Sequence, residues 1–252
     1  MLIVANWKAY VESTTKAKQL FATAKRLAAS EVKIVLAPPA PYLGLLAAGN
    51  RTKVAFASQD LTSTAGGAAT GEMTPKLLSD LGVTYAIIGH SERRSLGETD
   101  EMVAEKARNA VTNKIIPIIC VGERERDADG KYLSFLRAQI HAVFSILSPK
   151  ERLNVVIAYE PIWAIGKAAS QAITPNDLTE MMLYIRKILG EYVTGRSAEK
   201  VTILYGGSVE PSNAAALLND SSVNGLLVGR ASVDSDTFTS LVKAVRSAMS
   251  TY

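Results

Sequence analysis

Eight short apolar runs rich in β-branched residues recur along this chain, each separated from the next by a longer stretch of helical period, and nothing else in the sequence limits its fold so strongly. The runs are Leu2 to Ala5, Val32 to Leu36, Val54 to Ala57, Tyr85 to Ile88, Ile115 to Val121, Asn154 to Tyr159, Val201 to Tyr205 and Gly225 to Val228. Most are apolar at nearly every position, so both faces of each strand are expected to be covered, as in a parallel sheet flanked by helices.

The stretches between them read as amphipathic helices with identifiable starts. Ala17, Leu20, Phe21, Ala24, Leu27 and Ala28 share one helical face, as do Leu133, Leu136, Ile140, Val143, Phe144 and Leu147. Thr174 before Pro175 reads as an N-cap with proline at the first helical position, and Leu178, Met181, Met182, Ile185 and Leu189 follow on one face. Asp234 is the expected cap of a last helix that buries Phe238, Leu241, Val242, Val245 and Met249. An open doubly wound sheet would use the same alternation, but the first run is not followed by the Gly-x-Gly-x-x-Gly turn of a dinucleotide site. The expectation is an α/β chain forming one (β/α)8 barrel, with residues 1–252 as a single domain.

Composition narrows the function classes. With 48% hydrophobic and 21% charged residues the chain is an ordinary globular one. No apolar run approaches the roughly 18 residues of a membrane span, and Leu2 to Ala5 is too short for a signal-peptide core, so a cytoplasmic location and no membrane partner are expected. The net charge of +4 is scattered among acids, as in Glu123-Arg124-Glu125-Arg126-Asp127, which suits a small anionic substrate and gives no stripe for nucleic acid. Cys120 is the only cysteine and lies in an apolar run, where it reads as a small core residue. With His90 and His141 far apart and no cysteine pair, no metal site is expected.

In a (β/α)8 barrel the active site lies at the C-terminal ends of the strands, so residues just after each run can be polled for chemistry. The first delivers Asn6-Trp7-Lys8, the fourth Gly89-His90-Ser91-Glu92-Arg93-Arg94, the sixth Glu160, the seventh Gly206-Gly207-Ser208 and the eighth Gly229-Arg230. A carboxylate, an imidazole and an ammonium thus meet on one rim with two glycine-rich turns, whose backbone N–H groups suit a phosphate. Pro161-Ile162-Trp163-Ala164-Ile165-Gly166, directly after Glu160, reads as an apolar flap over that rim.

Through Asn6-Trp7-Lys8, Thr70-Gly71-Glu72, Ile87 to Arg94, Cys120-Val121-Gly122-Glu123, Ala158 to Gly166 and Tyr205-Gly206-Gly207-Ser208, nearly the whole chain resembles the triosephosphate isomerase family. The resemblance implies a TIM barrel acting in glycolysis and gluconeogenesis as a cytoplasmic homodimer, interconverting dihydroxyacetone phosphate and glyceraldehyde 3-phosphate without cofactor or metal. It implies Glu160 as the base, His90 as a neutral donor, Asn6 beside it and Lys8 as the balancing charge. Gly166, Ser208, Gly229 and Arg230 are then the phosphate-binding positions, Arg230 through its backbone N–H. Thr70, Glu72 and Arg93 are implied at the subunit interface, with Glu72 facing Arg93 of the other subunit. Another sugar-phosphate barrel enzyme would share the phosphate turns without needing Lys8, His90 and Glu160 together, and a non-catalytic barrel would need none of them.

Three departures from the family pattern stand out. The flap runs Gly166-Lys167-Ala168-Ala169-Ser170-Gln171-Ala172-Ile173, longer than usual and without the second glycine. Arg230 stands where a second glycine is frequent after the eighth strand. Ala69 stands where the dimer loop often carries an aromatic residue, which points to a weaker interface.

Overall fold

A computed structural model describes residues 1–29, 31–166, 173–195, 197–219 and 222–249. Among them, the strands are β1 (Leu2–Asn6), β2 (Lys33–Ala37), β3 (Ala55–Ser58), β4 (Tyr85–Ile88), β5 (Ile116–Val121), β6 (Val156–Tyr159), β7 (Thr202–Tyr205) and β8 (Gly225–Val228). They pair in parallel in chain order and close into a barrel, with β1 against β8. The helices are α1 (Thr14–Leu27), α2 (Ala40–Ala47), α3 (Pro75–Asp80), α4 (Ser91–Ser95), α5 (Asp100–Thr112), α6 (Lys131–Ile146), α7 (Pro149–Arg152), α8 (Pro175–Tyr192), α9 (Ser197–Lys200), α10 (Ala214–Asn219) and α11 (Ser235–Met249).

Near-continuous apolarity of the strands has its cause in two separate cores. Val4, Val35, Ile87, Ile118, Cys120, Ala158, Leu204 and Leu227 point into the barrel and pack on one another. Alternate residues such as Ile3, Ile34, Ile119, Ile157 and Ile203 face outward into a larger core shared with the helices. Parallel register locks the two sets in place: Val4 lies between Val35 and Leu227, so a slip by one residue would exchange the faces.

The helix starts follow the local chemistry. Thr174 Oγ1 accepts the Asp177 N–H at 3.2 Å, and Asp234 Oδ1 accepts the Thr237 N–H at 2.9 Å, each satisfying one donor that a helix start leaves open. Strand starts fall later than apolar content suggests. Asn154 and Val155 do not open β6, because their N–H groups are bonded to the carbonyls of Glu151 and Arg152 in the turn after α7. The N–H groups of Ile115 and Val201 likewise go to Ala110 and Ala198, so these residues are buried but outside the ladder. At the other end β1, β2 and β3 run one residue further, to Asn6, Ala37 and Ser58.

Candidate active site

Asn6, Lys8, His90, Glu160, Ile165, Gly166, Ser208, Gly229 and Arg230 all line one cavity of about 410 Å³ at the C-terminal mouth of the barrel. Glu92, Gly206, Gly207 and Glu210 complete its polar wall.

Glu160 follows β6 directly and is only 3% exposed. One carboxylate oxygen lies 3.3 Å from His90 Nε2, and the other accepts the Ser91 N–H at 3.3 Å. Two glycines make room for it. A Cβ on Gly122 would stand 1.8 Å from the Glu160 carbonyl oxygen, and one on Gly206 would stand 2.9 Å from its Cγ.

His90 caps α4, and its Nδ1 accepts the Glu92 N–H at 3.2 Å. A nitrogen that accepts carries no proton, so the ring proton of the neutral imidazole sits on Nε2 and points to Glu160. Nitrogen-15 NMR of the ring should show this tautomer alone, with Nδ1 bare; a spectrum with the proton on Nδ1 would contradict the assignment.

Asn6 ends β1, and its Oδ1 accepts the Lys8 N–H at 3.0 Å, which leaves the amide NH2 as the donor still unused by that turn. Lys8 has φ of 45°, a left-handed backbone that a lysine rarely adopts. It is held there from outside: Gln59 Nε2 donates to the carbonyls of both Lys8 and Ala37, each at 2.9 Å. The Lys8 ammonium meets Glu92 Oε1 at 2.7 Å.

The root of the segment expected to act as a flap is pinned by one buried carboxylate. Tyr159 Oη and Trp163 Nε1 donate to Glu123 Oε1 at 2.8 and 2.9 Å, and the Arg126 guanidinium lies 5.2 Å from the Trp163 ring centre. Burial and the Glu123 charge hold the Tyr159 phenol well above its ordinary pKa, so it stays a donor. Ile162–Ala164 forms a 3-10 turn, and Ser208 Oγ donates to the Ala164 carbonyl at 2.8 Å, tying this segment to the turn after β7. Residues 167 to 172, which carry most of the departure from the family's flap pattern, lie outside the described residues.

Arg230 opens a 3-10 turn (Arg230–Ser232) and is not among the residues with positive φ, so an arginine fits there without strain. Cys120 is buried, and burial together with the Glu160 carboxylate pushes its thiol far up, which makes it a packing residue. Thr70 and Glu72 are exposed on the loop before α3 and do not reach the cavity, and within the chain Arg93 pairs with Asp60 at 2.9 Å.

Sequence reading passed over the roles of Gln59, Gly122 and Glu123. Gln59 comes directly after β3, where polling of that strand end would have found it. Gly122 and Glu123 stood in a recognised segment with no role attached, because their importance comes from which strand mouths lie side by side.

A buried carboxylate within reach of an imidazole N–H, beside a lysine and glycine-rich turns at the mouth of a parallel barrel, defines a (β/α)8 enzyme of the acid–base class. The family model described as triosephosphate isomerase matches residues 1–245. Three relatives bear the same description: a protein of Thermus thermophilus at 41% identity (96% of this chain, 98% of that one), one of Chloroflexus aurantiacus at 40% (96% and 97%) and one of Rhodopirellula baltica at 39% (98% of each). The chain belongs to the triosephosphate isomerase family.

Proposed function

We propose that the chain interconverts dihydroxyacetone phosphate and glyceraldehyde 3-phosphate by proton transfer through an enediolate, a step of glycolysis and gluconeogenesis. The observation that carries this reading is the 3.3 Å approach of Glu160 to His90 Nε2 in the cavity that also holds Lys8. Glu160 removes a C1 proton of the ketone while Nε2–H of His90 and the Asn6 amide stabilise charge growing on the C2 oxygen. The protonated carboxyl returns its proton to C2, the hydroxyl proton passes from O1 to O2, and the carbonyl is left at C1.

Lys8 balances the charge of phosphate and enediolate. The backbone N–H groups of Gly166, Ser208, Gly229 and Arg230 seat the phosphate, and the Pro161 to Gly166 flap excludes water that would favour loss of phosphate from the enediolate. At rest the carboxylate is occupied by Ser91 N–H and His90, so a bound carbonyl must take over the His90 donor before Glu160 is free. A coupled assay of purified protein in both directions tests the reading: turnover of both triose phosphates is expected, and the absence of either conversion would overturn it.

The reading includes a homodimer in the cytoplasm. Among the described residues no helix is long and apolar enough to cross a membrane. The loop carrying Thr70 and Glu72 is exposed, and so are Tyr10 and, at 79%, Leu96, which gives a second copy apolar surface to cover. In the dimer Glu72 of one copy approaches Arg93 of the other, and Thr70 braces Asn6 and Lys8. Specific activity and mass should therefore fall together on dilution. Sedimentation and activity over one dilution series check this, and a fully active monomer would contradict it.

A further inference from the structure

The phosphate end of the cavity carries a cation that the proton chemistry does not use. The charged residues lining the cavity are Lys8 and Arg230 against Glu92, Glu160 and Glu210. Carboxylates outnumber cations before the substrate, itself a phosphate dianion, has entered. Lys8 is moreover already paired with Glu92 at 2.7 Å. Arg230 is exposed, and its guanidinium has no hydrogen-bond or ion-pair partner among the described residues. It stands beside the lysine: a Cβ built on Gly229 would lie 3.6 Å from Lys8 Cε, so the ammonium stem crosses the turn in which Arg230 is the next residue.

We propose that the Arg230 side chain is a specificity-determining residue that draws phosphomonoester dianions into the site. This rests on the isomerase reading. The seating of the phosphate belongs to backbone N–H groups, including that of Arg230. The guanidinium acts from the rim, where it offsets one of the three carboxylates. Its exposure sets the size of the effect. Exposed pairs of opposite charge shift equilibria by no more than about fivefold and are screened by salt, whereas a buried fork on phosphate would do much more. The guanidinium should thus raise capture of phosphorylated substrate a few-fold, at low ionic strength above all. A neutral triose should gain nothing from it.

The test compares the wild-type chain with Arg230→Gln and Arg230→Lys between about 10 mM and about 1 M salt, a range over which the screening length falls from about 30 to about 3 Å. At low salt Arg230→Gln should lose about two- to fivefold in kcat/KM for dihydroxyacetone phosphate, nearly all of it in KM, while Arg230→Lys keeps more than half of the wild-type value. The difference should vanish at high salt, and unphosphorylated glyceraldehyde should react equally with all three. Equal kcat/KM at low salt, a loss that persists at high salt, or a loss shared by glyceraldehyde would overturn the proposal. If the wild-type chain turns over no triose phosphate, the isomerase reading fails by itself. Inorganic phosphate then serves as the probe in calorimetry over the same salt series: binding weakened by Arg230→Gln only at low salt upholds the role of the side chain, and equal binding overturns it.

Discussion

Replacing Glu160 by glutamine should lower kcat by about three orders of magnitude in both directions, with the fold and phosphate binding retained. Positioned acid–base groups contribute about 10²- to 10⁴-fold, and in the proposed mechanism this one carries both proton transfers. An amide has nearly the shape of the carboxylate, so the side chain still fills its 3%-exposed site and can still accept the Ser91 N–H. It cannot take a carbon-bound proton. Its NH2 would also face the Nε2–H of His90, two donors where the wild type has a donor and an acceptor at 3.3 Å. Steady-state rates beside inorganic phosphate affinity separate loss of chemistry from loss of binding. Turnover near that of the wild type would remove Glu160 as the base.

The second large effect is expected at a residue with no side chain of its own. In Gly122→Ala the new methyl would lie 1.8 Å from the Glu160 carbonyl oxygen and 2.5 Å from its carbonyl carbon, a collision with backbone that no rotamer relieves. Both sides are tied down, since Glu160 N–H donates to the Val121 carbonyl at 2.8 Å and Gly122 N–H donates to Gln139 Oε1 at 2.9 Å. Relief must come from parting β5 and β6 at the mouth, which carries Glu160 with it. Forced overpacking costs about 1–3 kcal/mol, or roughly 2–12 °C in Tm for a chain of this size. A shift of about 1 Å at a reacting group can cost about a hundredfold in rate. Both losses should appear together in Gly122→Ala. Gly206→Ala, where the methyl would meet the side-chain Cγ of Glu160 at 2.9 Å, should cost rate more than stability. Melting curves and kcat for the two variants check this, and a Gly122→Ala variant with wild-type kcat would contradict it.

The contrast between Glu160 and Gly122 also marks what the sequence could and could not disclose. That Glu160, His90 and Lys8 share one cavity was legible because residues placed where a barrel's apolar runs stop meet at its mouth, and because the family resemblance is carried by the segments around them. Strand identity was legible for the same reason: burial on both faces leaves a run such as Tyr85 to Ile88 almost nothing but apolar residues. Strand starts were not, since Val155 and Ile115 look like strand but give their N–H groups to the turns before them. Nor was the support around the site. The grip of Gln59 on Lys8, the hold of Glu123 on Tyr159 and Trp163, and the need for Gly122 all follow from strand mouths that meet only once the barrel closes. Arg230 is a mixed case: its position was legible, and its freedom from positive φ and from any partner among the described residues was not.

Whether Glu160 carries a proton between neighbouring carbons is decided by running the isomerisation in D2O and following substrate and product by proton NMR. A carboxyl that holds the proton between the two transfers exchanges it with solvent. Deuterium is therefore expected at the carbon that receives hydrogen, with loss of both conversion and incorporation in Glu160→Gln. Conversion without any deuterium in the product, undiminished in Glu160→Gln, would contradict a proton held on this carboxylate.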